Sequence, residues 1–453
     1  MQTNDMEREV LSEEEKREYR RQRRIRNQRI AIISLILFVI LIVGLVICGI
    51  FLINSRIELK KQQEVEEQMI QSEVEEEAAI GEIEEETTGE SDEEPNVQKE
   101  YTDEEVLDDV IEAIISEMSL EEKVAGLFLV TPEAITGVDK AVQAGEGTKK
   151  ALEQYPVGGL IYFTKNIQSE EQIKKMIENS VSYCKYPMFI AVDEEGGKVS
   201  RLAEALKLNN VGDMADIGST GDTTKAYEAM KTVGIYLTSY GFNLNFAPVA
   251  DVLTNEKNTS IGDRAFGSDT MTVAGMVTSA MNGLEENGVT ACIKHFPGLG
   301  DAAADTHNGL AVIDKSLEEL KETELVPFIS AIEAGANMIM VDHMSLPQVV
   351  GDNTPATMSK EVISELLRSE LGFNGVVITD AMNMEAITEY YGADEAAIKA
   401  FKAGADMVLM PEDFELAYEG VIEAVENGTI SEDRIDNSLK RVFRIKYADS
   451  VGE

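Results

Sequence analysis

Eight short apolar runs recur along the second half and more of this 453-residue chain, at 124–130, 158–163, 188–192, 244–248, 289–294, 336–341, 376–379 and 405–410. Amphipathic stretches such as 316–335 and 359–371 separate them. Short continuous apolar runs suit strands buried on both faces, and the helical stretches between them supply the crossovers that parallel strands require. The predicted fold is therefore α/β, a single (β/α)8 TIM-type barrel; a doubly wound open sheet is the alternative. A predicted helix at 111–118 leads into Ser119-Leu120-Glu121-Glu122, a capping-box start. A further amphipathic helix over 431–447 ends the domain, and one catalytic domain is expected.

Polar residues collect where these runs end. Asp193 ends the third, Asp251 follows the fourth, Lys294 and His295 end the fifth, Asp342 and His343 follow the sixth, and Asp380 follows the seventh. In a barrel those positions share the C-terminal rim, where the chemistry of the fold sits. The chain has only three histidines, His295, His307 and His343, and all fall in or after predicted strand ends. After the fifth run, Pro297, Gly298 and Gly300 set a tight path toward Asp305-Thr306-His307. Asp305 can accept a ring N–H of His307, which selects a tautomer and raises imidazole basicity. That pair reads either as a proton shuttle or as a plain loop staple. Asp380 reads either as a nucleophile or as a helix N-cap.

The stretch Lys294-His295-Phe296-Pro297-Gly298-Leu299-Gly300, with Asp305-Thr306-His307 after it, resembles the signature of glycoside hydrolase family 3 in its β-N-acetylhexosaminidase branch. The resemblance runs from about Leu120 to Lys446. It includes Asp193-Glu194-Glu195-Gly196-Gly197-Lys198-Val199-Ser200-Arg201, Asn243-Leu244-Asn245-Phe246-Ala247-Pro248, Ile261-Gly262-Asp263-Arg264 and Thr379-Asp380-Ala381-Met382-Asn383-Met384. It implies a retaining exo-enzyme that removes terminal β-linked N-acetylglucosamine with no cofactor and no metal. Asp380 would be the nucleophile, and His307 with Asp305 the acid and then the base. Asp193, Arg201, Arg264, Lys294 and His295 match sugar-binding positions, and His343 matches a pocket-lining one. Departures spare the dyad: Leu299 stands where many relatives carry His or Asp, Thr306 where Ser is common, and Lys198 where Arg is frequent. The last of these leaves contacts beyond the first sugar open.

Charge divides the chain further. The formal net charge is -44, which argues against nucleic acid as a partner, because phosphate binding needs Lys/Arg surfaces. Residues 1–29 end in an Arg-rich cluster, and 30–53 form an apolar run of the length a bilayer core asks of a helix. The positive-inside rule then predicts a basic cytoplasmic tail, a single-pass transmembrane helix at 30–53 and an extracellular remainder. Residues 54–110 are Glu-rich and lack aromatics until Tyr101; they are predicted to be an acidic flexible stalk. The catalytic domain would occupy 111–450. Outside the apolar run only Cys184 and Cys292 remain, and two buried thiols are expected.

The expected partners are carbohydrate, namely β-N-acetylglucosaminides and peptidoglycan fragments, and the membrane through the N-terminal helix. Two rivals share the same residues. A phosphorylase would let phosphate replace water, since a neutral His base repels an anion less than a carboxylate does. A β-glucosidase is disfavoured, because that branch usually draws its acid/base from a second domain. A catalytically inert binding protein is the third class.

Overall fold

The computed structural model describes residues 103–302 and 310–448. Eight of its strands form one parallel sheet: β1 (Phe128–Val130), β2 (Gly159–Ile161), β3 (Phe189–Val192), β6 (Leu244–Asn245), β7 (Thr290–Phe296), β8 (Met338–Val341), β9 (Val376–Thr379) and β10 (Val408–Leu409). The remaining two, β4 (Glu194–Gly196) and β5 (Val199–Ser200), form an antiparallel hairpin directly after β3. The first strand pairs with β10 on one side and β2 on the other. The join between β9 and β10 is made by an isolated parallel bridge, Ile378↔Met407, and by Thr379 N donating to Met407 O. The sheet thus curls into a nearly closed barrel, which removes the doubly wound alternative, whose sheet has two open edges.

Each predicted run marks a barrel strand, with β7 running two residues past the predicted 289–294, and the barrel strands are buried along their length. The first run is longer than its strand for a local reason. Ser119 and Glu122 cap each other's backbone, at 3.3 and 3.2 Å, and start a helix over Leu120–Ala125; β1 begins only after Gly126. The stretch 316–335 also divides, into helices Leu317–Glu322 and Val326–Glu333, because Thr323 leaves helical geometry and Pro327 opens a new first turn. The 359–371 segment is a π-type helix, Glu361–Glu370.

Ordered structure starts before the predicted 110/111 boundary. Helix Asp103–Glu117 buries Ile111 and Ile115, and it is tied to the last helix, Glu432–Lys446, by Asp108 with Arg444 and by Glu112 with Lys440. The end of the predicted stalk therefore belongs to the catalytic fold. The rest of it, the basic tail and the apolar run 30–53 lie outside the described residues. Among the described residues no helix is long and apolar enough to cross a membrane. Cys292 is buried and Cys184 half-buried, and both are free thiols.

Candidate active site

The C-terminal ends of the barrel strands enclose a cavity of about 350 Å³, lined among others by Asp193, Glu195, Arg201, Arg264, Lys294 and Asp380. A larger cavity, about 500 Å³, lies at the opposite mouth, among the strand beginnings at Met188, Thr290 and Asn337. The smaller one carries the predicted chemistry, and it occupies the end of the barrel where loops converge on a ligand.

Its floor is a chain of ion pairs. Lys294 Nζ lies 2.8 Å from Asp193 Oδ1 and 2.6 Å from Glu195 Oε1. Glu195 also receives a fork from Arg264, Nε to Oε2 at 2.7 Å and Nη2 to Oε1 at 2.8 Å. Two cations thus share one fully enclosed carboxylate. Burial alone would raise the Glu195 pKa, but Lys294 and Arg264 outweigh it and hold the group far below the usual range. The same carboxylates push Lys294 up, against its own burial. Charged groups fixed in this way present hydrogen bonds to hydroxyls without having to reorganise.

His295 joins this floor from β7. Its Nδ1 lies 2.7 Å from Asp251 Oδ2, while Asp251 Oδ1 accepts the Leu299 N–H at 2.6 Å. The other ring nitrogen, Nε2, faces Arg264 Nη2 at 3.4 Å. A guanidinium can only donate, so Nε2 accepts and Nδ1 carries the proton toward Asp251. Past His295 the chain takes the tight path that its Gly and Pro content predicts. Gly298 has φ +128°, and a Cβ on Gly300 would lie 1.9 Å from Val252 O.

Asp380 follows β9 directly and enters the cavity beside Ala381 and Met384. Its Oδ1 accepts the Ala381 N–H at 2.7 Å. Burial pushes its pKa up, but the positive groups around it and the Ala381 N–H bring it below the ordinary value, so the group is a carboxylate. His343 departs from its predicted place. It is fully buried and is not among the residues lining the cavity; Nδ1 lies 3.0 Å from Thr357 Oγ1 and Nε2 lies 2.9 Å from Ala381 O. A carbonyl accepts, so Nε2 carries the proton, and His343 braces the backbone beside Asp380 instead of lining the pocket. Arg201 lines the cavity at the start of helix Arg201–Leu206, and its buried Nε has no hydrogen-bond partner in the structure. Asp305 and His307 lie outside the described residues.

Two residues at the centre of the site were not singled out from sequence. Glu195 stands inside the motif that supplied Asp193 and Arg201, and that position was its only signal. Asp251 was noted as a strand-end residue, but its role as the partner of His295 depends on a contact between β6 and β7 that spacing does not show.

A carboxylate at one strand end, faced by buried cations suited to hydroxyl groups, defines a barrel enzyme of the glycosidase class. The family model described as "Glycosyl hydrolase family 3 N terminal domain" matches residues 119–445. The chain belongs to glycosyl hydrolase family 3. It is 32% identical over 326 residues to "Beta-hexosaminidase A" of Pseudoalteromonas piscicida, covering 65% of this chain and 54% of that protein. It is 34% identical over 267 residues to "Beta-hexosaminidase" of Idiomarina loihiensis, covering 58% of this chain and 79% of that one. Among solved structures, a family 3 beta-N-acetylglucosaminidase from a Paenibacillus species superposes with a TM-score of 0.67 at 36% identity, covering 74% of this chain and 64% of that one. The chain thus spans about half the length of the Pseudoalteromonas relative and under two thirds of the Paenibacillus one.

Proposed function

We propose that this chain is a retaining exo-β-N-acetylhexosaminidase that releases terminal β-linked N-acetylglucosamine. The observation that carries this reading is Asp380, an ionised carboxylate at the end of β9, facing the Lys294–Glu195–Arg264 cluster across one cavity. The names of the relatives point to the same sugar. In the first step an Asp380 oxygen attacks C1 while the bond from C1 to the leaving oxygen breaks. Because Oδ1 is held by the Ala381 N–H, Oδ2 is the attacking atom. His307, oriented by Asp305, gives its proton to the departing oxygen. In the second step it takes a proton from water, whose oxygen displaces Asp380 from C1 with net retention. Asp193, Arg201, Arg264, Lys294 and His295 bind and orient the sugar.

The test is turnover of an aryl β-N-acetylglucosaminide with and without phosphate, beside an aryl β-glucoside. Release of free N-acetylglucosamine that Asp380→Asn abolishes supports the reading. Diversion of the product to the sugar 1-phosphate would make the chain a phosphorylase, and preference for the glucoside would make it a β-glucosidase. The natural substrate we propose is a peptidoglycan fragment, presented to a catalytic domain held outside the cell by the 30–53 helix. The Arg cluster before that run and its length support this placement. Comparing release from short muropeptides and from chitobiose tests the substrate. Digestion of intact cells by an external protease tests the placement, and a catalytic domain that resists it until lysis would refute an outward orientation.

A further inference from the structure

Arg201 is held in an unusual way for a ligand-binding arginine. Its buried Nε has no hydrogen-bond partner among the described residues, and where its guanidinium sits depends on the backbone that carries it. That backbone follows the β4–β5 hairpin, whose turn contains Gly196 at φ +105° and Gly197 at φ +53°. Two glycines in left-handed geometry form the turn, and Asn210 grips it, accepting the Gly197 N–H at 2.9 Å and donating to the Gly197 carbonyl at 2.7 Å. The first turn of the Arg201 helix needs an anchor besides that turn.

Glu194 is placed to do so. Its side chain is fully buried, and Oε2 accepts the Leu202 N–H at 2.7 Å while Oε1 accepts the Ala203 N–H at 3.0 Å. These are the two residues that follow Arg201, at the end of the helix where unsatisfied N–H groups attract a carboxylate. A third donor, the Tyr236 hydroxyl from helix Thr223–Tyr240, fixes Oε1 at 2.9 Å. The backbone of Glu194 is itself anchored to β6, with its N–H on Asn245 Oδ1 and its carbonyl accepting from Asn245 Nδ2, both at 2.9 Å. Glu194 therefore connects the barrel wall to the first turn of the Arg201 helix and bypasses the glycine turn.

We propose that Glu194 is a positioning residue for sugar recognition, holding Arg201 at the angle that presents its guanidinium to the ligand. The proposal rests on the functional reading of the cavity, and it adds a residue that itself makes no contact with the sugar. Burial drives the Glu194 carboxyl up, and its three donors and the charge of Arg201 oppose this. Glutamine at this position keeps one acceptor oxygen but turns an amide donor toward the remaining N–H, so it loosens the anchor without emptying the space.

The experiment is a double-mutant cycle of Glu194→Gln and Arg201→Ala, read by kcat/KM on an aryl β-N-acetylglucosaminide and by the Kd of free N-acetylglucosamine. Glu194→Gln alone is expected to lose about tenfold, while in the Arg201→Ala background it costs less than about twofold, because the residue it acts through is gone. A merely structural role would multiply the two losses, and that result overturns the proposal. Should Glu194→Gln not fold, Tyr236→Phe removes one of the three donors. A loss of about threefold that disappears with Arg201→Ala supports the proposal, and a loss that persists refutes it. If the wild-type chain does not hydrolyse the substrate yet binds N-acetylglucosamine with the same coupling, the functional reading fails and the role of Glu194 stands. If it neither hydrolyses nor binds, both fall.

Discussion

Substituting Glu195 by glutamine removes the one carboxylate shared by Lys294 and Arg264. The two cations do not lose equally. Lys294 keeps Asp193 at 2.8 Å, whereas Arg264 loses its ion-pair partner among the described residues and keeps the Ser260 carbonyl at 3.0 Å and His295 Nε2 at 3.4 Å. Glu195 Oε1 accepts from both cations and Oε2 from Arg264, so whichever oxygen becomes an amide nitrogen turns a donor toward a donor. Leaving a buried charge uncompensated costs about 3–5 kcal/mol, and the surviving Asp193 pair places this case near the lower end, about 3 kcal/mol. An ordered unit of about 340 residues unfolds with an entropy near ~0.7 kcal/mol/K, so the melting temperature should fall by about 4 °C. The assay is thermal unfolding followed by circular dichroism, on wild type and Glu195→Gln across pH 4–8. Because the folded pKa of Glu195 lies below its unfolded value, its stabilisation is complete above about pH 4.3 and fades only as pH falls further toward the folded value. The gap should therefore stay constant from pH 8 to about 5. A variant melting within about 1 °C of wild type, or a gap already closed by pH 5.5, would refute the view that this carboxylate neutralises the two cations.

Asp380→Asn should lower kcat by at least about 10³-fold with little change in melting temperature, checked by steady-state kinetics and calorimetry. Since the Asp380 pKa lies below the ordinary value, the acid limb of kcat/KM should not rise near pH 5 on its account; a pH–rate profile of the wild type checks this. His307→Ala should lower kcat/KM by about 10²–10⁴-fold for poor leaving groups while sparing kcat/KM of activated aryl leaving groups, whose departure needs no proton, and should lower kcat for both because the second step loses its base; a leaving-group series would reveal this. His343→Ala should lower kcat more than it raises KM, because it frees the Ala381 carbonyl beside the nucleophile without touching the cavity wall; equal KM and kcat effects would count against that role.

The barrel was legible because its strands are buried on both faces and therefore read as unbroken apolar runs, and because helix starts such as Ser119 carry their own capping chemistry. Local competition was less visible. The capping box that helped to find the first helix also shortened β1, and Thr323 broke a helix that apolar periodicity carried straight through. At the site, Asp193 and Asp380 directly follow strands and Lys294 and His295 lie in the last three residues of β7, which is why predicted strand ends pointed to them. Glu195 was passed over as a site residue because its importance lies in pairs with Arg264 and Lys294, far apart in sequence, and no spacing rule links them. His343 was placed in the pocket lining on resemblance alone, whereas its buried side chain turns to Thr357 and Ala381.

The three histidines now divide by what their ring nitrogens can do. In His295, Nδ1 is committed to Asp251 and Nε2 faces a guanidinium that cannot accept a proton. In His343, Nδ1 faces Thr357 and Nε2 gives its proton to the Ala381 carbonyl. A general acid and base must offer the same nitrogen alternately protonated and bare to the substrate oxygen, and in neither residue is a nitrogen left for that exchange without breaking a buried bond. This leaves the proposed acid/base role with His307, which follows β7 in sequence, two strands along the sheet from β9 and Asp380. Lys294, Glu195 and Arg264 are fixed by pairs with one another.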